Sequence, residues 1–135
     1  MTEQDLCKAA VAAMERAYAP YSGYTVGAAL LAADGTVYTG CNIENASYTP
    51  TVCAERTAVF KAVSDGVREF AMLAVAGGQG GAIQGAFPPC GVCRQVLAEF
   101  CPPSFPVLVV TGADSYERYT LADLLPLAFS PDHVK

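Results

Sequence analysis

Two short stretches carry the residues that could do chemistry in this chain, TVCAERTAVFKA at 51–62 and PPCGVCRQVLAEF at 88–100. Cys90 and Cys93 stand three apart at what reads as a helix start, so both sulfurs share one face within a turn and can meet one tetrahedral zinc ion. A Cys-x-x-Cys pair also serves thioredoxin-like redox chemistry, but such a pair normally follows the first strand of its fold, whereas this one comes late and behind a proline. Cys53 shifts the balance toward metal. It too precedes a helix, and two helix N-termini could converge their positive dipole ends on one cluster of thiolates. Nothing else offers a fourth ligand, since the single histidine, His133, lies in a polar tail and reads as a solvated side chain. Three protein ligands leave a position open for water, the pattern of a catalytic zinc.

Glu55 follows Cys53 by two residues, so both reach one metal only if it sits over the helix end. A carboxylate there can take a proton from water, deliver it to a substrate nitrogen and later protonate the leaving group. Alone, a glutamate in a first turn reads as a solvated helix charge; beside three cysteines it reads as acid/base. Three thiolates and Zn²⁺ sum to a net charge of about −1, which weakens acidification of bound water. Arg56, one turn after Cys53, is the expected offset through a hydrogen bond to a ligand thiolate, with Arg94 a second candidate.

These residues need elements to hold them. Leu6, Ala9, Ala10, Ala13, Met14 and Ala17 recur at helical spacing behind a Thr2/Asp5 capping box, so a helix is expected over about 2–18. Asp34-Gly35 centres the strongest hairpin signal, with strands near 24–33 and 36–41. NIENASYTP is expected as a loop at one edge of the sheet, followed by a helix from Val52 to about 64 or 65. FAMLAVAGG reads as a buried, central strand. GGQGGAIQGAFPP lacks the register of a phosphate loop and reads as a flexible surface loop. A third helix over about 91–100, a strand at PVLVVT, a weak strand near 116–120, a short LADLLP helix and a loose tail complete the chain. This order implies a three-layer α/β/α sandwich around a mixed central sheet of about five strands, in one domain spanning 1–135.

Composition narrows the function classes. Thirteen acidic against eight scattered basic residues give a net charge of −5, so no basic stripe tracks a phosphate backbone and no nucleic-acid partner is expected. The longest apolar runs fall far short of the ~20 residues of a membrane span, and the start MTEQDLCK is polar and acidic, so no membrane association and a cytoplasmic location are expected. A hydrophobic share of 53% fits a dense globule or one that buries more surface by oligomerising. Cys7, Cys41 and Cys101 lack a partnered spacing and read as small buried hydrophobes.

The Cys-Ala-Glu of 53–55 followed by PCGVCRQ resembles the signature of the zinc-dependent cytidine deaminases. The resemblance covers almost the whole chain, through SGYTVGAAL, NIENAS, CAERTA, PCGVCRQ and LLPLAF in that order. It implies that Cys53, Cys90 and Cys93 bind one Zn²⁺ per chain and that Glu55 shuttles protons. It further implies ribose contacts from Asn42 and Glu44, a backbone contact from Ala54, and packing from Tyr24. Phe129 would reach in from a neighbouring subunit, and Ala46 and Tyr48 would line the site across another interface of a homotetramer. The implied reaction is hydrolytic deamination of free cytidine and 2′-deoxycytidine by zinc-activated water, in pyrimidine salvage.

Two positions depart from the family pattern. Tyr24 stands where phenylalanine is usual, adding a hydroxyl that needs a partner if buried. Pro88 replaces the usual serine or threonine, removing a hydroxyl and a backbone donor. Two other readings stand beside this one: a related deaminase for a cytosine-containing antibiotic, disfavoured by the NIENAS loop, and a structural zinc module, disfavoured by the missing fourth ligand.

Overall fold

The computed structural model describes residues 1–135. The first helix, α1 (Glu3–Ala13), is opened by Thr2, whose Oγ1 accepts from Asp5 N at 3.0 Å while Asp5 returns the bond to Thr2 N at 3.1 Å. It is shorter than its periodicity suggests, tightening into a 3₁₀ turn at Met14–Arg16. The reason is tertiary. Tyr18 N donates to Asn42 O and Glu44 N to Tyr18 O, drawing residues 17–18 into an extended pairing with the 42–44 strip.

Strands β1 (Tyr24–Ala32) and β2 (Val37–Cys41) form the expected hairpin. Its turn has Gly35 at φ 93°, a conformation glycine adopts without a Cβ penalty, and Asp34 Oδ1 accepts from Thr36 N at 2.9 Å. Helix α2 (Ala54–Ser64) begins two residues later than expected because Val52 exchanges backbone hydrogen bonds with Ile43. Then follow β3 (Phe70–Gln79), α3 (Gly91–Phe100), β4 (Pro106–Gly112), β5 (Ser115–Thr120), α4 (Leu121–Leu124) and a 3₁₀ turn at Pro131–His133.

The sheet order is β2-β1-β3-β4-β5, with β3 and β4 parallel and every other pair antiparallel. Strand β3 lies in the middle, which its unbroken apolar run requires, since both faces are covered. Alternation along the strands splits the core. Ala28, Leu30, Leu73, Val75, Val107 and Val109 pack with α2 and α3, whereas Ala29, Ala74, Ala76, Leu108 and Val110 pack with Leu6, Cys7 and Ala10 of α1 and with Met14 of the turn that follows it. The result is an α/β/α sandwich with a mixed five-stranded sheet.

Two glycines let the helices approach the sheet. A Cβ on Gly27 would stand 2.0 Å from Ala10 O, and one on Gly40 would stand 2.4 Å from Ala54 O and 2.5 Å from Ala58 N. The second contact seats the first turn of α2 directly on β2. Because β2 and β3 run in the same direction, α2 and α3 both start from the same end of the sheet. Cys7 and Cys101 lie in the core, where burial pushes their thiols up to about 11 and about 12; Cys41 is only half-buried.

Candidate metal centre and its cavity

Cys53 and Cys90 occupy the same structural position, the residue capping the N-terminus of α2 and of α3, each in extended backbone. Cys93 lies one turn into α3 and is buried. The two helix ends face each other, so Cys53 Sγ is 3.5 Å from Cys90 Sγ, and Cys90 Sγ is 3.4 Å from Cys93 Sγ. All three sulfurs lie within 4.8 Å of one another.

The donor set fits zinc on two grounds. A tetrahedral ion with bonds of ~2.3 Å has ligand-to-ligand edges of ~3.8 Å, close to the sulfur separations found. Charge gives the second. The Cys93 thiol beside it, aided by Arg56, holds Cys53 down to about 5, while donation to Cys53 and burial push Cys93 up. Thiols this close cannot all ionise together unless a soft divalent cation neutralises them, and thiolates select for zinc.

Arg56 Nη2 donates to Cys53 Sγ at 3.5 Å, one helical turn away, and its Nε is buried without a partner. Arg94 does not join the sulfurs. Its Nε donates to Pro89 O at 2.7 Å and its Nη1 to Leu124 O at 2.6 Å, because α3 turns this side chain away from the cluster toward α4.

Glu55 is only 3% exposed, and its Oε1 is buried without any hydrogen-bond partner. Burial pushes this carboxyl up to about 7, with negative charge on Cys53 adding to the rise. A carboxyl near neutrality can both accept and donate a proton. It lines a cavity of about 610 Å³ whose walls also include Cys53, Ala54 and Cys90 together with Ser22, Asn42 and Glu44.

Asn42 is buried against β1: its Oδ1 accepts from Val26 N at 2.8 Å and its Nδ2 donates to Tyr24 O at 2.8 Å. One amide hydrogen is left to donate into the cavity. Glu44 Oε1 accepts from Tyr21 N at 3.0 Å and Ser22 N at 3.1 Å, and Oε2 accepts from Ser22 Oγ. These donors hold its carboxyl below the usual carboxylate range. Tyr24 lines the cavity with its ring 5.8 Å from that of Phe87.

Ala46, Tyr48 and Phe129 are not among the residues lining this cavity. Tyr48, 68% exposed, packs edge-on against Tyr21. Phe129, 61% exposed, stacks on His133, which caps its own turn. Sequence reasoning missed Ser22, Gln84 and Phe87. The 80–88 loop, expected as mere surface, folds back over the sheet end: Gln84 N donates to Gly77 O, Gln84 Oε1 accepts from Gln79 N, and Phe87 covers Gly77. Phe87, the one aromatic in that glycine-rich stretch, was the available signal.

Residues 1–109 match the family described as the cytidine and deoxycytidylate deaminase zinc-binding region. The chain is 58% identical over 120 residues to the cytidine deaminase of Sporosarcina psychrophila, covering 89% of this chain and 85% of that protein. Against the cytidine deaminase of Halalkalibacterium halodurans it is 48% identical over 132 residues, covering 98% and 97%. Its fold is similar to the crystal structure of cytidine deaminase from Burkholderia pseudomallei, with a TM-score of 0.88, 48% identity and coverage of 96% and 100%.

Proposed function

Because this chain belongs to the cytidine and deoxycytidylate deaminase family, we propose that it hydrolyses free cytidine and 2′-deoxycytidine to uridine and 2′-deoxyuridine with release of ammonia, in pyrimidine salvage. The observation that carries this reading is the buried, unpartnered Glu55 Oε1 at the cavity wall beside three converging sulfurs. Zinc held by Cys53, Cys90 and Cys93 would supply the Lewis acidity that lets water act as a nucleophile at neutral pH.

Every other task falls to the chain's own groups. Glu55 takes a proton from the water that attacks C4 of the pyrimidine and delivers it to the ring nitrogen N3. Again a carboxylate, it takes the proton of the hydroxyl now on C4 and passes it to the exocyclic amine, which leaves as ammonia as the C4–N bond breaks and the C4 carbonyl forms. Arg56 draws charge from the Cys53 sulfur through its hydrogen bond, offsetting the excess negative charge of three thiolates. Ala54 presents backbone to the ring. Asn42, with a spare amide hydrogen, and Glu44, with spare lone pairs, together satisfy a ribose hydroxyl as donor and acceptor. Tyr24 packs against the nucleoside from the side.

The assembly is a homotetramer in which Phe129, Ala46 and Tyr48 complete the sites of neighbouring copies. What supports this is their place outside the cavity and the exposure of large apolar side chains such as Ile43, Tyr48, Phe60 and Phe129. The chain works as one domain over 1–135 in the cytoplasm; no helix is long and apolar enough to cross a membrane. The net charge of −5 favours a free nucleoside over polynucleotide. Incubation with cytidine, deoxycytidine and single-stranded oligonucleotide tests this: uridine and deoxyuridine should form while the oligonucleotide stays intact, and deamination confined to the oligonucleotide would overturn it.

A further inference from the structure

Arg94 and Gln95 directly follow Cys93 on α3, and their side-chain hydrogen bonds all end on backbone carbonyls. Arg94 Nε donates to Pro89 O at 2.7 Å, Arg94 Nη1 to Leu124 O at 2.6 Å, and Gln95 Nε2 to Phe129 O at 2.9 Å. Pro89 is fully buried and its carbonyl belongs to the peptide leading into Cys90. Leu124 ends α4, and Phe129 lies five residues on, so the other two carbonyls bracket the segment 124–129.

That segment has little backbone anchorage of its own. No backbone N–H from Leu127 to Phe129 reaches a backbone acceptor, Leu127 is fully exposed at φ 50°, and Phe129 is largely exposed. The charge of Arg94 has no competing use, since the one ion pair of the chain joins Arg118 to Glu3. A guanidinium fork holds two carbonyls at a fixed spacing through charge-assisted bonds, which a point charge such as lysine does not reproduce.

We propose that Arg94 and Gln95 are positioning residues that clamp the segment 124–129 to the Cys90–Cys93 turn, so that this segment governs how firmly the three sulfurs keep their metal. The clamp fixes the Pro89–Cys90 peptide, and through it the direction from which Cys90 Sγ enters the cluster. Loss of Arg94 frees the Pro89 carbonyl and the near end of the segment at Leu124; loss of Gln95 frees only its far end at Phe129. The inference rests on the zinc reading of the site.

The test uses the full-length protein loaded with zinc, comparing the parent with Arg94→Ala, Arg94→Lys and Gln95→Ala. The readouts are zinc release to a chromogenic chelator, the rate of chymotryptic cleavage after Leu127 and Phe129, and the gain in Tm on adding zinc to metal-free protein. Arg94→Ala should release zinc about 10-fold faster, the size typical of losing a group that supports a metal ligand. It should also be cleaved faster after Leu127 and Phe129 and gain less in Tm from zinc. Arg94→Lys should behave nearly like Arg94→Ala. Zinc release at the parental rate overturns the clamp, as does a loss of Tm that is equal with and without zinc. If Arg94→Ala does not fold, Gln95→Ala decides: faster cleavage after Phe129 with faster zinc release is expected, and parental zinc release overturns the proposal. A parent that binds no zinc would instead sink the metal reading on which the clamp rests.

Discussion

Arg56 Nη2 donates to Cys53 Sγ across one turn of α2, at 3.5 Å, tying the only cation that reaches the sulfurs to the residue that caps the same helix. On the zinc reading, this bond is expected to offset part of the excess negative charge of the three thiolates. Arg56→Ala should weaken zinc binding and lower kcat, by about 10-fold for each, the usual effect of removing a hydrogen bond to a metal ligand. Zinc titration and steady-state kinetics check it, and unchanged values for both would show that the helix dipoles suffice.

Metal removal should expose a difference among thiols. With Cys53 held to about 5 and Cys7 and Cys101 pushed to about 11 and about 12, the chelated protein at pH 7 should alkylate first at the three-sulfur cluster. Mass spectrometry after brief iodoacetamide treatment reads this directly. Added zinc should protect the cluster and leave the core cysteines unlabelled throughout.

The positions of these sulfurs were legible because their information is local: a Cys-x-x-Cys spacing and a cysteine before a helix need no knowledge of distant partners. The exact start of α2 was not, because it depends on Val52 pairing with Ile43, a contact that no periodicity in 52–63 reveals. Phe87 and Gln84 escaped for a related reason. A stretch rich in glycine and proline carries no period, so its return onto Gly77 and Gly78 is decided by the sheet it covers. Arg94 shows the opposite failure: it lies one turn after Cys90, four residues on, as Arg56 lies three after Cys53, yet the carbonyls of Pro89 and of Leu124 in α4 draw it elsewhere.

Gly40→Ala should destabilise the fold by about 1–3 kcal/mol, the usual cost of overpacking, because the added Cβ meets Ala54 O at 2.4 Å. Denaturant unfolding measures it. The same push falls on the first turn of α2, so zinc affinity should fall with stability.

Glu44 makes a pH-dependent contribution whose sign follows from its lowered pKa. Its stabilising bonds to Tyr21, Ser22 and the Ser22 hydroxyl are present above the ordinary value of 4.5 and are lost as pH falls through the lower folded-state value. Glu44→Gln should therefore lower Tm at pH 7, with the gap from the parent closing in acid below 4.5. A gap that stays constant with pH would contradict this. Nucleoside KM should rise in the same variant.

Turnover should depend on Glu55, and the most direct test follows ammonia release from cytidine by the purified protein and its Glu55→Gln variant, with zinc counted in both. The parent should turn over with one zinc per chain, and the variant should keep its zinc while losing about 10²–10⁴-fold in kcat. Parental turnover in the variant, or a zinc-loaded parent inert toward cytidine and deoxycytidine, would contradict it.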